Sequence, residues 1–287
     1  MPKKQVTYRA DVIQAMTLGT GDTEMKIDDP AYAWRFLAEG DSWFTIGAIP
    51  SSNLLYEMRL KKRAVILNLG YPGDTISNIA QLSANTEFSR RLAHPNWASD
   101  WDAILMSGGG NDLIDRAADI IRKLPSGSSG TKATDYIDGD NLMAFQNAVK
   151  EGFHKIVALR DSASSPSRGK PIIVHTYDYP TPRPSPANFL IVPITKPWMH
   201  PVFDRCKVPK ALRIKVAARL LDSLAKALLE LEQELPAFHV VDTRKSLIRA
   251  DIDAKGNRGD WLNEIHSNSD GYRKIADLLA GKIHQLL

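Results

Sequence analysis

The sequence predicts an α/β protein with one doubly wound parallel sheet of about five strands and helices on both faces. Short runs of branched apolar residues, which suit strands covered on both faces, alternate with longer amphipathic stretches of helical spacing. The composition, 43% hydrophobic and 24% charged, is that of a globular protein. Because neither an internal repeat nor a break in composition divides the alternating part, we predict one domain there.

Each element follows from its own residue pattern. Five short apolar runs predict strands, and they lie at residues 36–40, 64–69, 101–106, 171–177 and 238–242. Stretches with apolar residues at three- and four-residue spacing predict helices, and they lie at residues 53–60, 75–91, 112–123, 141–161, 212–235 and 269–287. A polar start offers a cap to the last of these helices. In such sheets the ligand site lies beyond the carboxyl ends of the strands.

Two parts of the chain depart from this alternation. Residues 1–35 show no sustained periodicity and predict a partly irregular arm packed on the domain. Residues 178–209, here called the proline-rich segment, contain eight prolines, a density that neither a helix nor a central strand tolerates. A segment of this kind with many apolar side chains is typical of a functional cover. We therefore predict a domain over residues 36–287 in which this segment caps the site and supplies most of its pocket walls.

Several classes of partner are excluded by composition. The net charge of +4 is small and scattered, so no nucleic-acid partner is predicted. Cys206 is the only cysteine, and the histidines show no paired metal spacing with acidic residues, so we predict no disulfide, no metal and no cofactor. The sequence shows no secretory signal peptide and no apolar stretch of about 18 residues. This predicts a cytoplasmic protein without a membrane span, although export by a route that needs no such signal would leave the same sequence.

Small and polar residues follow four of the elements where the parallel strands should end. Gly40-Asp41-Ser42 comes after the first strand, and three further blocks lie at residues 70–75, 107–112 and 260–266. Gly, Asp and Ser are also ordinary turn formers, so Ser42 alone is weak evidence for a nucleophile. The four blocks in this order carry more weight, because parallel strands bring their carboxyl ends to one rim of the sheet.

The four blocks resemble those of the SGNH hydrolases, the GDSL-type esterase and lipase superfamily, named for a serine, a glycine, an asparagine and a histidine. The resemblance spans residues 36 to about 280. It implies a flavodoxin-like strand order and cleavage of a carboxylic ester through an acyl-enzyme, with Ser42 as nucleophile and His266 as general acid and base. It also implies an oxyanion hole made of the Ser42 and Gly73 backbone N–H groups and the Asn111 side chain.

The sequence departs from the family at the residue that orients the base. The family has an aspartate three residues before the histidine, and here that position is Asn263, with Asp260 three residues earlier. The Asn263 amide oxygen can accept the imidazole N–H, and Asp260 can reach back if the intervening residues bulge. The two stay open as candidates, with a bare Ser-His dyad as a third possibility. Glu264 ranks last, because its neighbourhood is typical of an exposed loop.

Other residues are candidates for substrate contact or support. Trp43 either lines the acyl pocket or packs in the core, and His175 and Tyr177 follow the fourth strand onto the same rim. Asp41 and Asp112 are predicted to accept backbone N–H bonds in the rim loops.

The sequence leaves the substrate and the functional class of the protein open. A lipid-type or short-chain ester and an acetyl ester of a carbohydrate both fit, so the predicted partner is a small-molecule or glycan ester. A non-catalytic binding module on the same fold is the alternative. A nucleotide binder is a weaker one, because the Gly108-Gly109-Gly110-Asn111 loop lacks a lysine and the dinucleotide spacing.

Overall fold

The computed structural model describes residues 6–14, 26–45, 52–81, 83, 85–189, 192–193 and 196–287. Strands and helices alternate along most of this length. In chain order the elements are β1 (Tyr8–Arg9), β2 (Asp11–Gln14), β3 (Trp34–Gly40), α1 (Ser42–Thr45), β4 (Arg59–Leu60), β5 (Ala64–Asn68), α2 (Ile76–Ile79), α3 (Thr86–Ala93), β6 (Ala103–Ser107), α4 (Gly110–Ile120), a 3₁₀ turn (Ala133–Tyr136), α5 (Gly139–Arg160), β7 (Ile172–His175), β8 (Asn188–Phe189), β9 (Val192–Pro193), α6 (His200–Arg205), α7 (Lys210–Glu234), β10 (Phe238–Val241) and α8 (Ser269–Leu286).

A six-stranded parallel sheet has the order β10-β7-β6-β3-β5-β2. Without β2 the order is the flavodoxin-like one, so the predicted fold class is confirmed. The sheet has six strands where about five are predicted, because β2 comes from the predicted arm and pairs with β5. It is a four-residue edge strand with one buried side chain, too short for its periodicity to identify it. Most of the rest of the arm, residues 1–5 and 15–25, lies outside the described residues.

Helices cover the sheet on both faces. All five residues of β5 and of β6 are buried, which requires cover above and below them. Helices α2, α3 and α4 pack on α5, which packs on α7, whereas α8 packs against β4, β7 and β10. The apolar core lies between these layers and leaves the carboxyl ends of the strands at one rim.

Two predicted helices differ in the structure. Residues 53–60 form a turn and then β4, which pairs antiparallel with β1. The Asn53 side chain accepts the Tyr56 N–H at 2.9 Å and so stabilises the turn. The predicted helix over residues 75–91 is divided into α2 and α3, because Asn85 accepts the Phe88 N–H at 3.3 Å and caps a second helix.

One carboxyl group is buried within β3. Glu39 is 1% exposed, and it accepts the Gly40 N–H at 2.8 Å and an N–H of the Asn85 side chain at 3.1 Å. Burial raises the pKa of Glu39 to about 7, although both hydrogen bonds act in the other direction. The folded protein therefore holds a proton on Glu39 at a pH where the unfolded chain has released it.

Glu39→Gln is expected to change how stability depends on pH. Because the folded pKa lies above the unfolded one, Glu39 costs the wild type stability as pH rises toward and through about 7. From about pH 5.5 to about pH 8.5 this cost grows by about 2 kcal/mol, or roughly 5 °C in Tm. When both proteins are unfolded thermally across that range, the Tm of the variant should rise relative to that of the wild type as pH increases. Tm curves that stay parallel would contradict the raised pKa of Glu39.

Candidate active site

Ser42 follows β3 directly and begins α1, at the rim where the parallel strands end. Gly40 permits the close turn, because a Cβ at that position would lie 2.3 Å from the Ser107 carbonyl oxygen on β6. Asp41 then accepts the Trp43 N–H at 3.0 Å and holds the turn closed. Ser42 is therefore held by backbone geometry, and it is 6% exposed.

His266 lies within hydrogen-bonding distance of Ser42. Its Nε2 is 2.8 Å from Ser42 Oγ, and its Nδ1 is 3.1 Å from Asn263 Oδ1. The backbone N–H groups of Ile265 and His266 also donate to Asn263 Oδ1, at 3.0 and 2.9 Å, and a backbone N–H needs an acceptor there. That atom is thus the amide oxygen. Nδ1 therefore carries the imidazole proton, and Nε2 can accept the Ser42 hydroxyl hydrogen.

The surroundings of His266 keep its imidazole neutral. Burial lowers the pKa of His266 to about 4. Asn263 is uncharged, so it adds no negative charge that would stabilise the imidazolium. Near neutral pH the ring is in the form whose Nε2 takes a proton.

Asp260, the competing candidate for the third member, faces other groups. Its carboxylate accepts the Ile248 N–H at 2.5 Å and a proton of the Lys274 ammonium group at 2.5 Å. In the part of the chain that the structure describes, no hydrogen bond joins Asp260 to His266. The structure brings Asn263 to the imidazole and leaves Asp260 away from it.

The two other predicted oxyanion donors differ in position. Asn111 lies in the first turn of α4, lines the cavity beside Ser42 and donates one side-chain N–H to the Asp74 carbonyl at 2.9 Å. An amide has a second N–H, which this bond leaves for a ligand. Gly73 precedes Asp74 on an exposed turn with φ of 85° and does not line the cavity. Gly73 is thus connected to the site through the next residue, Asp74, whose carbonyl accepts the Asn111 side-chain N–H.

Asp112, next to Asn111, holds a rim loop. Its carboxylate accepts the Ile76 N–H at 2.8 Å and the Ser77 N–H at 3.2 Å. These are the backbone bonds that the sequence analysis expects of Asp112, and they fix α2 beside the start of α4.

Asp41 has a set of buried hydrogen bonds beneath the nucleophile. The Tyr177 hydroxyl and the Ser107 hydroxyl donate to its carboxylate, the latter at 2.8 Å. Burial raises the pKa of Asp41 to about 6, against the opposing effect of these bonds. Asp41 therefore ties β3 to β6 and to the end of β7, and its role is wider than the predicted backbone contact.

His175 and Tyr177 occupy different places. Tyr177 lines the cavity, as expected of a residue that touches substrate. His175 is fully buried, and its Nδ1 donates to the Thr176 carbonyl at 2.8 Å while its Nε2 lies 3.0 Å from Ser107 Oγ. This departs from the predicted substrate contact, because the side chain turns into the sheet and away from the cavity.

Trp43 combines the two roles considered for it. Its ring lines the cavity, yet the residue is 3% exposed and its ring centroid lies 5.5 Å from that of His175 in a stacked arrangement. Trp43 Nε1 donates to the Ile265 carbonyl at 3.2 Å. The residue after Ser42 is therefore bonded to the residue before His266.

An apolar cavity that is partly open to solvent lies beside Ser42. Its lining comes from several elements and consists of Asp41, Ser42, Trp43, Gly110, Asn111, Leu113, Ile114, Tyr177, Asp178, Pro180, Met199, Leu221, Trp261 and Ile265. The Asp178 carboxylate is occupied by the N–H groups of Lys245 and Leu247, at 2.8 and 2.7 Å. The Asp41 carboxylate accepts the hydroxyl groups of Tyr177 and Ser107. Among the described lining residues, Ser42 and Asn111 keep side-chain hydrogen-bonding capacity, and the buried Trp261 indole N–H has no hydrogen-bond partner.

The proline-rich segment lies at this site but supplies less of it than expected. Pro180 and Met199 line the cavity, and the Trp198 ring lies edge-on to the His266 ring with 5.4 Å between centroids. Asp178 of the segment lines it as well, so three of the described lining residues belong to the segment. Among the described residues most of the lining comes from α1, α4, α7 and the loop that carries His266, and the segment supplies the smaller part of it.

Sequence reasoning missed two buried charges near the base. Glu264 is fully buried, so the expectation of an exposed loop there is wrong, and Arg183 is fully buried as well. The carboxylate of Glu264 accepts backbone N–H groups of the proline-rich segment. No local pattern indicates such a bond, because its donors lie about 65 residues away in the chain.

No group of three or more His, Cys, Asp or Glu side chains among the described residues could hold a metal ion. None of the described helices is long and apolar enough to cross a membrane.

No protein-family model and no curated protein match the chain. Several solved structures are similar. Est24, a carbohydrate acetylesterase from Sinorhizobium meliloti, is 14% identical with a TM-score of 0.47, over 88% of this chain and 100% of that one. The M. smegmatis aryl esterase is 15% identical with a TM-score of 0.44, over 89% and 100%. A possible lipase from Chitinophaga pinensis is 14% identical with a TM-score of 0.48, over 88% and 98%. The likeness is one of fold, and the chain resembles the SGNH hydrolases in its four blocks.

Proposed function

We propose that the protein hydrolyses a carboxylic ester through an acyl-enzyme on Ser42, with His266 as general base and then general acid. The observation that supports this most is the 2.8 Å contact between Ser42 Oγ and His266 Nε2, with Asn263 on the other ring nitrogen. A serine hydroxyl is a weak nucleophile until a base in hydrogen-bonding reach takes its proton, and a third group must orient that base. The three residues meet these requirements beside a cavity.

The reaction follows from the positions of these groups. Ser42 Oγ attacks the ester carbon while its proton passes to His266 Nε2, and the carbonyl oxygen becomes an oxyanion. The second N–H of the Asn111 amide and the Ser42 backbone N–H are proposed to donate to that oxyanion, whereas Gly73 lies on an exposed turn outside the cavity lining. Each such donor contributes about 10²–10³ in turnover. His266 then gives its proton to the leaving alcohol, and water releases the acid by the same steps.

The cavity favours an ester with an apolar acyl group. Its free side-chain polar capacity among the described residues is limited to Ser42, Asn111 and the Trp261 indole N–H, so a sugar ring inside it would lose more hydrogen bonds to water than it could replace. The acyl group stays attached to Ser42 while the alcohol must leave and water must enter. The apolar space beside Ser42 is therefore assigned to the acyl group.

Catalytic efficiency is expected to rise with acyl length in a series of p-nitrophenyl esters. Each buried methylene contributes ~0.8 kcal/mol, or roughly fourfold in kcat/KM, until the cavity is full. Ile114→Trp, which fills part of the cavity from α4, should abolish this rise and spare the acetyl ester. Met143→Trp on the exposed surface of α5 is the matched control. An unchanged length profile in Ile114→Trp, or a rise with alcohol length at constant acetyl, would place the apolar group elsewhere.

The reactivity of Ser42 tests the proposed function against a non-catalytic binding module. A fluorophosphonate reacts with an activated serine and leaves an ordinary one untouched. Intact-mass measurement should show one adduct on the wild-type protein, and peptide mapping should locate it on Ser42. Failure to react, together with failure to hydrolyse any ester of the acyl series, would favour the binding module.

A further inference from the structure

A buried arginine of the proline-rich segment holds the loop that carries the base. Arg183 is fully buried, and its guanidinium donates to the backbone carbonyls of Ala254, Gly256, Trp261 and Asn263, at 3.1, 2.7, 3.3 and 2.6 Å. The guanidinium offers its donors in a rigid planar fork, so these bonds fix the loop relative to the segment in several directions. One of the carbonyls belongs to the residue whose side chain orients the imidazole.

A buried glutamate of the loop holds the segment in return. The Glu264 carboxylate accepts the backbone N–H groups of Trp198, Met199 and His200, the last two at 2.9 and 2.7 Å. The Glu264 N–H donates to the Ser185 carbonyl at 3.0 Å. The Arg183 side chain thus reaches from the segment to the loop, and the Glu264 side chain reaches from the loop to the segment. We call these two side chains the clasp.

The clasp encloses the residues that the proposed reaction uses. Asn263 lies next to Glu264 and is bonded through its carbonyl to Arg183, and His266 lies two residues further on. Glu264 also fixes the backbone of Trp198, whose ring packs edge-on against the His266 ring. A shift of the clasp would therefore move both the group that orients the imidazole and the ring that covers it.

The free-energy cost of burying Arg183 and Glu264 argues against a role for the clasp in stability alone. Removing a guanidinium and a carboxylate from water is costly, and apolar side chains of similar volume often stabilise a fold as well or better. The cost is offset here by directed hydrogen bonds that converge on one loop. Such bonds supply defined geometry, which is what a base within 2.8 Å of its nucleophile requires.

We propose that Arg183 and Glu264 are positioning residues that hold Asn263 and His266 in reach of Ser42, and that the proline-rich segment serves the reaction chiefly by carrying this clasp. The proposal rests on the proposed function. It assigns the segment a part in ordering the base in addition to the small part it has in lining the cavity.

Glu264→Gln is the test variant, because glutamine places an amide N–H where the carboxylate accepts a backbone N–H. Since a misplacement of about 1 Å can cost about a hundredfold, we expect kcat to fall about tenfold to a hundredfold with KM nearly unchanged. Glu57→Gln is the matched control, a buried glutamate that lies 3.4 Å from Arg273 and outside the site. It should unfold at a similarly lowered temperature and keep its kcat.

Hydrogen exchange gives a readout that does not depend on turnover. The peptide over residues 260–266 should exchange faster in Glu264→Gln than in Glu57→Gln. Arg183→Lys is the second variant; it keeps the charge and loses the fork, so it should also lower kcat. Wild-type kcat in Glu264→Gln, or a loss of kcat without faster exchange of that peptide, overturns the proposal. A wild-type protein that neither hydrolyses esters nor binds a fluorophosphonate refutes the proposed function instead, and exchange then decides whether the clasp holds the loop.

Discussion

Ser42→Ala is expected to lower the turnover of a short p-nitrophenyl ester by at least about 10⁴-fold, because removal of a serine nucleophile eliminates the covalent route and leaves only binding and oxyanion stabilisation. The measurement is steady-state hydrolysis with purified protein, alongside thermal unfolding. Stability should change little, since the hydroxyl makes one hydrogen bond to a side chain, with His266.

Ser52→Ala is the matched control for that substitution. Ser52 is also a buried serine, and its hydroxyl donates to Glu57 at 2.5 Å, outside the candidate site. We expect it to keep wild-type turnover and fluorophosphonate labelling. Undiminished hydrolysis by Ser42→Ala, in a preparation free of other esterases, would remove Ser42 as the nucleophile.

Asn263→Ala is expected to cost about a hundredfold or more in kcat, because the imidazole loses the group that fixes its tautomer and orientation. The lost amide oxygen also accepts the Ile265 and His266 N–H groups, so the loop relaxes as well. Asp260→Ala is the comparison that decides between the two candidates for the third member. It should lower the melting temperature, since it breaks bonds to Lys274 and Ile248, and leave kcat within about a few-fold.

The reverse result, a large kcat loss in Asp260→Ala and a small one in Asn263→Ala, would make Asp260 the orienting residue. Small losses of kcat in both variants would support a Ser-His dyad.

Asn263→Asp tests the contact between residue 263 and His266 through the pH dependence of the reaction. A carboxylate at the 3.1 Å position stabilises the imidazolium, so it should raise the pKa of His266 from its present value of about 4. The acid limb of the kcat/KM profile should accordingly move to higher pH in Asn263→Asp, and an unmoved limb would speak against this contact.

Local sequence patterns account for the structural features that could be predicted from the sequence. Short branched runs such as residues 64–69 and 101–106 suit only strands that are buried on both faces, and the alternation with helices requires parallel pairing. Parallel pairing brings the strand ends to one rim, which is why Ser42 and Asn111 could be assigned to one site. The division of the helix predicted at 75–91 into two helices was harder to predict from the sequence, because the internal cap at Asn85 competes with a continuous amphipathic pattern.

The fold class was thus determined by the periodicity of the sequence, and the order of four small polar blocks is the basis for proposing Ser42 as nucleophile and His266 as base. Tertiary structure decided which residue meets His266: Asn263 and Asp260 both lie within six residues of it, and their separation in space depends on how the loop is held. That loop is held by Arg183 and Glu264, whose partners lie about 65 to 80 residues away along the chain. A contact of that range depends on burial and on the arrangement of two folded segments, and no local spacing encodes it.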